Sequence, residues 1–117
     1  MTPSRRHTIE TLLRDDPGDV FLRYSLALEM ETAGENGPSL EILESLARGT
    51  PPYVPAFHMA GRQFAALGRI EEARRVLRDG IDEARRQGNT HAAGEMAELL
   101  TSLGSSPPPP RDAPRPG

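Results

Sequence analysis

The feature that most constrains this chain is a self-match at a spacing of 34 residues. The shift places Pro17 over Pro51 and Gly34 over Gly68, and further apolar positions coincide at the same offset. A fixed period of this length indicates a repeated pair of antiparallel helices. One such pair buries little surface alone, so chains of this kind fold by stacking neighbouring pairs and usually present binding surfaces. The sequence therefore predicts an all-α fold of stacked helices.

Length and composition narrow the classes of function. The 117 residues fit one small domain, which buries about 65% of the surface that its unfolded chain exposes. The formal net charge of −3 gives no bulk basic character, so nucleic acid is not an expected partner. Cysteine is absent, which excludes disulfides, thiol catalysis and cysteine-ligated zinc. No apolar run suits a signal peptide or the ~20 residues of a membrane span, so we expect a cytoplasmic protein without a membrane partner.

Apolar spacing and capping residues predict six helices. They cover residues 4–15, 19–33, 38–49, 53–67, 70–87 and 90–103. Ser4, Asp19 and Asn89 are predicted N-caps, with Thr2 and Thr90 as alternatives for the first and last helix. The predicted helix ends are marked by glycines, namely the turn from Gly34 to Gly37, Gly49, Gly68 and Gly88. Because every connection is short, successive helices should be antiparallel neighbours.

The apolar residues indicate which helix faces are buried. In the first helix Ile9, Leu12 and Leu13 are predicted to face the core. Gly61 in the fourth helix should let a neighbouring helix approach closely, since it has no side chain. The fifth helix has the clearest inward stripe, formed by Ile70, Ala73, Leu77, Gly80, Ile81 and Ala84.

The end of the chain has a different composition. Residues 104–117 contain a run of prolines and no large apolar side chain, so they are predicted to be a disordered tail biased to polyproline II. A role as ligand for a proline-binding domain is less favoured, because Arg111 and Arg115 are not spaced suitably around the prolines. A flexible terminus is the preferred interpretation.

Residues 54–87 resemble a tetratricopeptide repeat. The positions at which that family has Trp, Leu-Gly, Tyr, Ala and Phe are occupied by Phe57, Ala60-Gly61, Phe64, Ala73 and Leu77. Residues 20–53 follow the same register but depart from the pattern at Arg23 and Ser39. The resemblance, to a small bacterial member of the family, implies an α-α superhelix with flanking helices at 4–15 and 90–103. It also implies a non-enzymatic protein-interaction module.

The resemblance further implies where a partner binds. Ligands of this family usually lie in a concave groove lined by the first helix of each repeat. The corresponding positions here include Phe21, Tyr24, Leu28, His58 and Arg62, which would suit a peptide or small helix with apolar anchors. Two alternatives stay open. Phe21 and Tyr24 could instead pack on the first helix, and the chain could be a homodimer or other assembly unit that pairs through its end helices.

Other candidate sites have weaker support. All fourteen Lys and Arg positions are Arg, a bias typical of a GC-rich bacterial genome. The arginines of the fifth helix alternate with acids, so we expect i,i+4 ion pairs on a solvated face: Glu71–Arg75, Arg75–Asp79, Arg78–Asp82 and Asp82–Arg86. His91 and Glu95 are one turn apart, but two ligands do not make a metal site. No catalytic residue, metal or cofactor is predicted.

Overall fold

A computed structural model describes residues 4–105 and 107–109, which contain six helices and no strand. The helices are α1 Arg5–Asp15, α2 Val20–Thr32, α3 Asn36–Ala47, α4 Val54–Ala66, α5 Ile70–Arg86 and α6 Thr90–Ser102. All six helices predicted from the sequence are therefore present. The predicted division into repeats at residues 20–53 and 54–87 stays a prediction.

Three of the predicted N-caps are confirmed by hydrogen bonds. The Ser4 hydroxyl accepts a hydrogen bond from the backbone N–H of His7 at 3.1 Å and begins α1. The Asp19 carboxylate accepts from the N–H of Leu22 at 2.9 Å and begins α2. The side chain of Asn89 accepts a hydrogen bond from the backbone N–H of Ala92 at 3.1 Å and begins α6. Each cap satisfies a backbone donor that has no partner within its helix.

Helices α2, α4, α5 and α6 end in the same type of turn. The residue after each helix's last turn is a glycine with positive φ, at 81° for Gly34, 77° for Gly68, 76° for Gly88 and 82° for Gly104. The next N–H then donates to the carbonyl five residues earlier: Glu35 to Met30 at 2.8 Å, Arg69 to Phe64 at 2.9 Å, Asn89 to Ala84 at 2.8 Å and Ser105 to Leu100 at 3.2 Å. This is the Schellman arrangement, and glycine adopts its left-handed conformation at no steric cost.

One predicted connection is shorter than expected. The sequence predicts an exit turn from Gly34 to Gly37, yet α3 already begins at Asn36 and includes Gly37. The Schellman turn reverses the chain within two residues, so the remaining residues of the predicted turn are free to join the next helix. Pro38 is accommodated in the first turn of α3, where its missing N–H costs no helical hydrogen bond.

The described residues form two compact units, and the boundary lies between Ala56 and Phe57 within α4. In the first unit, α2 packs against both α1 and α3. Its core contains Ala27, Leu43 and Leu46, which are almost completely buried. The prediction for α1 is wrong at Leu12, which is 49% exposed, whereas Ile9 is only 6% exposed. The face that α1 buries against α2 is narrower than the apolar spacing suggests.

Contacts in the first unit account for the two departures from the repeat pattern. Ser39 is fully buried, and its hydroxyl donates to the carbonyl of Ala27 at 2.7 Å, so a polar side chain joins α3 to α2. Arg23 is half-buried and its guanidinium donates to the hydroxyl of Ser45 on α3. Hydrogen bonds between the two helices thus replace the apolar contacts that the family pattern has there.

The second unit is built around α5, which packs against α6. Its central side chains Leu77, Ile81, Met96 and Leu100 have no exposed surface. The expected close approach at small residues is confirmed. A Cβ at Gly61 would lie 2.5 Å from Leu77, and a Cβ at Gly80 would lie 2.5 Å from the Cβ of Phe57 and 2.6 Å from the sulfur of Met96. A side chain at Gly61 would force the side chain of Leu77 to shift, and one at Gly80 would overlap the Cβ of Phe57, which is close to the backbone.

Candidate interaction surfaces

Three of the predicted binding residues lie along one face of α2 in the first unit. Phe21, Tyr24 and Leu28 are separated by three and four residues, which places them one above another on a helix. The side chain of Phe21 is 65% exposed, the largest exposed fraction of any large apolar residue in the described part of the chain. Tyr24 and Leu28 are half-buried. The face therefore combines an exposed aromatic ring with a partly exposed apolar surface.

Tyr24 is held by a second aromatic residue of the same unit. Its ring meets the ring of Tyr53 edge to face, with the centroids 5.5 Å apart and the planes inclined at 67°. This is a favourable arrangement for two aromatic rings. The N–H of Tyr53 in turn donates to the carbonyl of Leu46 at 2.9 Å, which holds the segment before α4 against α3. Tyr53 therefore supports the α2 surface, a role that spacing within one helix could not reveal.

The other two predicted residues lie on α4 in the second unit. His58 and Arg62 are four residues apart and share a helix face, with His58 half-buried and Arg62 exposed. Burial lowers the pKa of His58, the positive charge of Arg62 lowers it further, and the carboxylate of Glu95 on α6 acts to raise it. Glu95 therefore belongs to the electrostatic surroundings of His58. Sequence spacing did not place it there, because the two residues come together only when α4 and α6 are folded.

The α6 side of this surface has both polar groups and open space. The Nε2 atom of His91 lies 3.2 Å from a carboxylate oxygen of Glu95, one helical turn away. A Cβ at Gly94, on the same helix, would meet no atom within 4 Å. Throughout residues 4–105 and 107–109, no three His, Asp or Glu side chains are placed to hold a metal ion. The polar side chains of His58, Arg62 and Glu95 can donate or accept hydrogen bonds to an external group.

The arginines of α5 do not form the predicted i,i+4 pairs. Within the described part of this helix, the ion pairs have i,i+3 spacing, such as Arg74 with Glu71 and Arg86 with Glu83. The contacts of two of these arginines explain part of the difference, because Arg78 donates to the hydroxyl of Ser105 after α6 and Arg86 pairs with Glu83 at i,i+3. Arg74 and Arg85, which were in no predicted pair, also donate to carbonyls after α6. A helix considered alone cannot reveal this choice.

No helix in the described ranges is long and apolar enough to cross a membrane. No protein-family model matches the sequence, and a search of curated proteins gives no match. Solved structures do match. The solution NMR structure of a tetratricopeptide repeat domain protein from Salinibacter ruber superposes with a TM-score of 0.71 at 28% identity, covering 75% of this chain and 89% of that one.

Two further structures agree with this result. A crystal structure of a tetratricopeptide repeat domain protein from Salinibacter ruber gives a TM-score of 0.66 at 27% identity, over 74% of this chain and 96% of that one. A solution structure of a protein from Bordetella parapertussis gives 0.75 at 19% identity, over 88% and 90% of the two chains, which supports the fold alone. With the helix order and the glycine contacts described above, these similarities show that the chain is a tetratricopeptide-repeat-like protein with a helical-repeat interaction fold.

Proposed function

We propose that this protein is a non-enzymatic interaction module that binds a peptide or helical segment of another protein. Its fold supports the proposal, because helical repeats present extended surfaces and generally serve association, not catalysis. The proposed contact residues are those predicted from the repeat register, namely Phe21, Tyr24, Leu28, His58 and Arg62. The cytoplasmic location stays a prediction.

The observation that carries this proposal is the exposure of Phe21. A phenyl ring that is 65% exposed has a favourable free energy of transfer to an apolar pocket, since most of its surface still contacts water. Aromatic side chains are typical anchors of binding sites, and they lose little conformational entropy when they are fixed. Tyr24 and Leu28 extend the same helix face, so a partner could contact three apolar groups along about two turns of α2.

The surface on α4 supports a polar component of binding. Arg62 is exposed, and its guanidinium can form a bidentate pair with a carboxylate of a partner. His58 favours its neutral form because burial lowers its pKa, so it can donate from one ring nitrogen and accept at the other. We therefore expect a partner with apolar anchor residues and a carboxylate. The carboxyl-terminal chaperone tails bound by some members of the family are not expected partners, because Tyr24 and Leu28 stand where such binders have Lys and Asn.

Photo-crosslinking tests this function directly. Benzoylphenylalanine is introduced at position 21 of the full chain and, as a matched control, at Leu67, another exposed apolar residue. After irradiation in native-host extract, we expect position 21 to crosslink a specific protein that position 67 does not capture. A synthetic peptide from the crosslinked segment should then bind the unlabelled chain, and Arg62→Ala should weaken that binding. Equal crosslinking at both positions, or no binding of the peptide, would contradict the proposal.

Self-assembly is the second candidate function. Leu12 and Val20 of the first unit are 49% and 43% exposed, so this unit has apolar surface beyond the predicted contact residues. An isologous dimer would bury such surface against a second copy. The same experiment separates the two functions. A crosslink from position 21 to a second copy of this chain would favour assembly, whereas a crosslink to a different protein favours partner binding.

A further inference from the structure

Three of the described residues that follow α6 accept hydrogen bonds from arginines of α5. The Nε atom of Arg74 donates to the carbonyl of Leu103 at 2.9 Å, and the guanidinium's Nη2 reaches the same oxygen. Arg78 donates to the hydroxyl of Ser105, and Arg85 donates to the carbonyl of Pro108. We call Arg74, Arg78 and Arg85 the arginine row. All three partners lie outside α6, in the order in which the chain continues.

The spacing of these contacts agrees with an extended segment parallel to α5. From Arg78 to Arg85 a helix rises about 10 Å, at about 1.5 Å per residue. From Ser105 to Pro108 an extended proline-rich chain advances about 9 Å, at about 3.1 Å per residue. The shorter interval, from Arg74 to Arg78, is about 6 Å, and the partners of these two arginines, Leu103 and Ser105, belong to the turn at Gly104. The arginines are thus spaced to meet successive groups of such a segment.

The chemistry of the two sides is complementary as well. Proline has no backbone N–H, and polyproline II has no internal hydrogen bonds, so residues 107–109 offer carbonyl acceptors and no backbone donors. A guanidinium has five N–H donors and no acceptor. Lysine's compact ammonium would present donors without the planar fork that lets Arg74 reach one carbonyl with two nitrogens. Arg85 therefore supplies a donor to a proline carbonyl, while Arg74 and Arg78 donate to oxygens of Leu103 and Ser105 just before the prolines.

The turn before this segment directs it to α5. Gly104 and Ser105 form the same Schellman turn that precedes α3, α5 and α6. A Cβ at Gly104 would lie 3.2 Å from the Nη2 atom of Arg74, so glycine also permits the close approach of this guanidinium. After each of the three earlier turns of this type, at Gly34, Gly68 and Gly88, a helix follows, but the prolines at 107–109 cannot continue a helix. Prolines therefore occupy positions at which a further helix would otherwise begin.

We propose that the arginine row of α5 is a binding surface for an extended proline-rich segment, and that residues 103–105 and 107–109 of the same chain occupy it. This surface is separate from the proposed contacts on α2 and α4. Occupation by the chain's own segment engages donors of the arginine row, so these donors are not available to another proline-rich chain.

Paramagnetic relaxation tests the proposal in the full chain. The protein has no cysteine, so Pro109→Cys provides one site for a nitroxide label. The label should broaden the amide signals at the end of α5, around Arg85 and Arg86. Replacing Arg78 and Arg85 by Ala should remove that broadening. The matched control replaces Arg75 and Arg86, which are exposed arginines of the same helix outside the row, and should retain it. The dispersion of the amide signals verifies that each variant is folded.

The origin of the segment is tested with mixed samples. 15N-enriched protein without the nitroxide is combined with an equal amount of 14N protein that carries it. Any broadening of the observed signals must then come from a second molecule. We expect no broadening in this mixture. Broadening in the mixture and not in the labelled 15N protein would overturn the proposal in favour of docking between copies. Absence of broadening in the labelled 15N protein, or equal loss in the row and control variants, would overturn it as well.

Discussion

Two glycines within helices of the second unit have opposite surroundings. A Cβ at Gly80 of α5 would overlap the Cβ of Phe57 and the sulfur of Met96, whereas a Cβ at Gly94 of α6 would meet nothing within 4 Å. Glycine is unfavourable inside a helix by about 0.5–1 kcal/mol relative to Ala. Gly80 offsets this cost through close packing, and Gly94 has no such contact in the described structure.

Replacing Gly80 and Gly94 by alanine tests whether the close contact at Gly80 contributes to stability. Gly80→Ala should lower the free energy of unfolding by about 1–3 kcal/mol, because the Cβ of Phe57 is close to the backbone and cannot move away cheaply. Gly94→Ala should raise it by about 0.5–1 kcal/mol through helix propensity alone. Urea unfolding followed by circular dichroism measures both. Similar changes for the two variants would show that Gly80 is not a packing residue.

His58 should titrate below the ordinary histidine pKa of about 6.5, because its imidazole is partly buried and Arg62 is near. NMR titration of its ring signal measures the value. Glu95→Gln should lower the pKa of His58 further, because the carboxylate favours the imidazolium. Arg62→Gln should raise it, because a positive neighbour is removed. A pKa that does not move in either variant would contradict the described surroundings.

The lowered pKa of His58 also determines the direction in which folding stability should change with pH. Since the pKa of His58 is lower in the folded state, the unfolded state binds the proton more readily. Folding stability should therefore be independent of this group above about pH 6.5 and decrease as the pH falls below that value toward the folded-state pKa. His58→Gln should remove this part of the pH dependence, as measured by urea unfolding at several pH values. An unchanged slope in the variant would exclude His58 as its source.

At the scale of single elements, α2 depends on its cap. Asp19→Ala removes the carboxylate that accepts from the N–H of Leu22 and should lower the free energy of unfolding by about 1 kcal/mol, within a range of 0.5–2. Asp16→Ala is the matched control, because this nearby exposed acid does not cap α2. Guanidinium unfolding compares the two. A loss for Asp16→Ala as large as that for Asp19→Ala would attribute the effect to charge and not to the cap.

The helices could be predicted because their ends depend on local residues. The caps at Ser4, Asp19 and Asn89, and the glycine turns, act within five residues, so the sequence contains all the information that they need. The exposed position of Leu12 could not be predicted in the same way, since it depends on how α1 is rotated against α2. A 34-residue period predicts which helices pair but not the rotation of each helix about its axis.

The contact surfaces show the same limit. The positions of Phe21, Tyr24 and Leu28 on one face of α2 follow from helical spacing. The support of Tyr24 by Tyr53, and the effect of Glu95 on His58, depend on residues from other elements. Arg78 of α5 is the clearest example, because Asp82 lies at i,i+4 but its guanidinium donates to the hydroxyl of Ser105, 27 residues along the chain. The predicted tail at 104–117 is described only at 104, 105 and 107–109, and its remaining residues lie outside the described part.

At the scale of the whole molecule, the last helix lies outside the 34-residue register, and the lengths of the helices explain why. Helix α5 has 17 residues, whereas α3 has 12. The first residues of α2 and α4 are 34 positions apart, at Val20 and Val54, but α6 begins 36 positions later, at Thr90. The longer α5 displaces the last helix from the register, so a sequence comparison at fixed period cannot align it.

The oligomeric state tests the choice between the two functions for the whole chain. The exposed large apolar residues of the described part are Leu12, Val20, Phe21 and Leu67, and they are divided between the two units. A stable interface buries about 800 Å² on each partner, which these scattered side chains do not supply. We therefore expect light scattering to give the monomer mass of 12.8 kDa over a wide range of concentrations. A dimer that Phe21→Asp dissociates would favour self-assembly.

The Schellman turn at Gly104 fixes the point at which this array could grow. Replacing the residues after Ser105 by a copy of Ile70–Arg86 would give the chain a complete third hairpin, because the same turn leads into that helix in the native sequence. The lengthened protein should gain helical circular dichroism in proportion to the grafted residues. The absence of such a gain would show that the turn at Gly104 does not suffice to start a further helix.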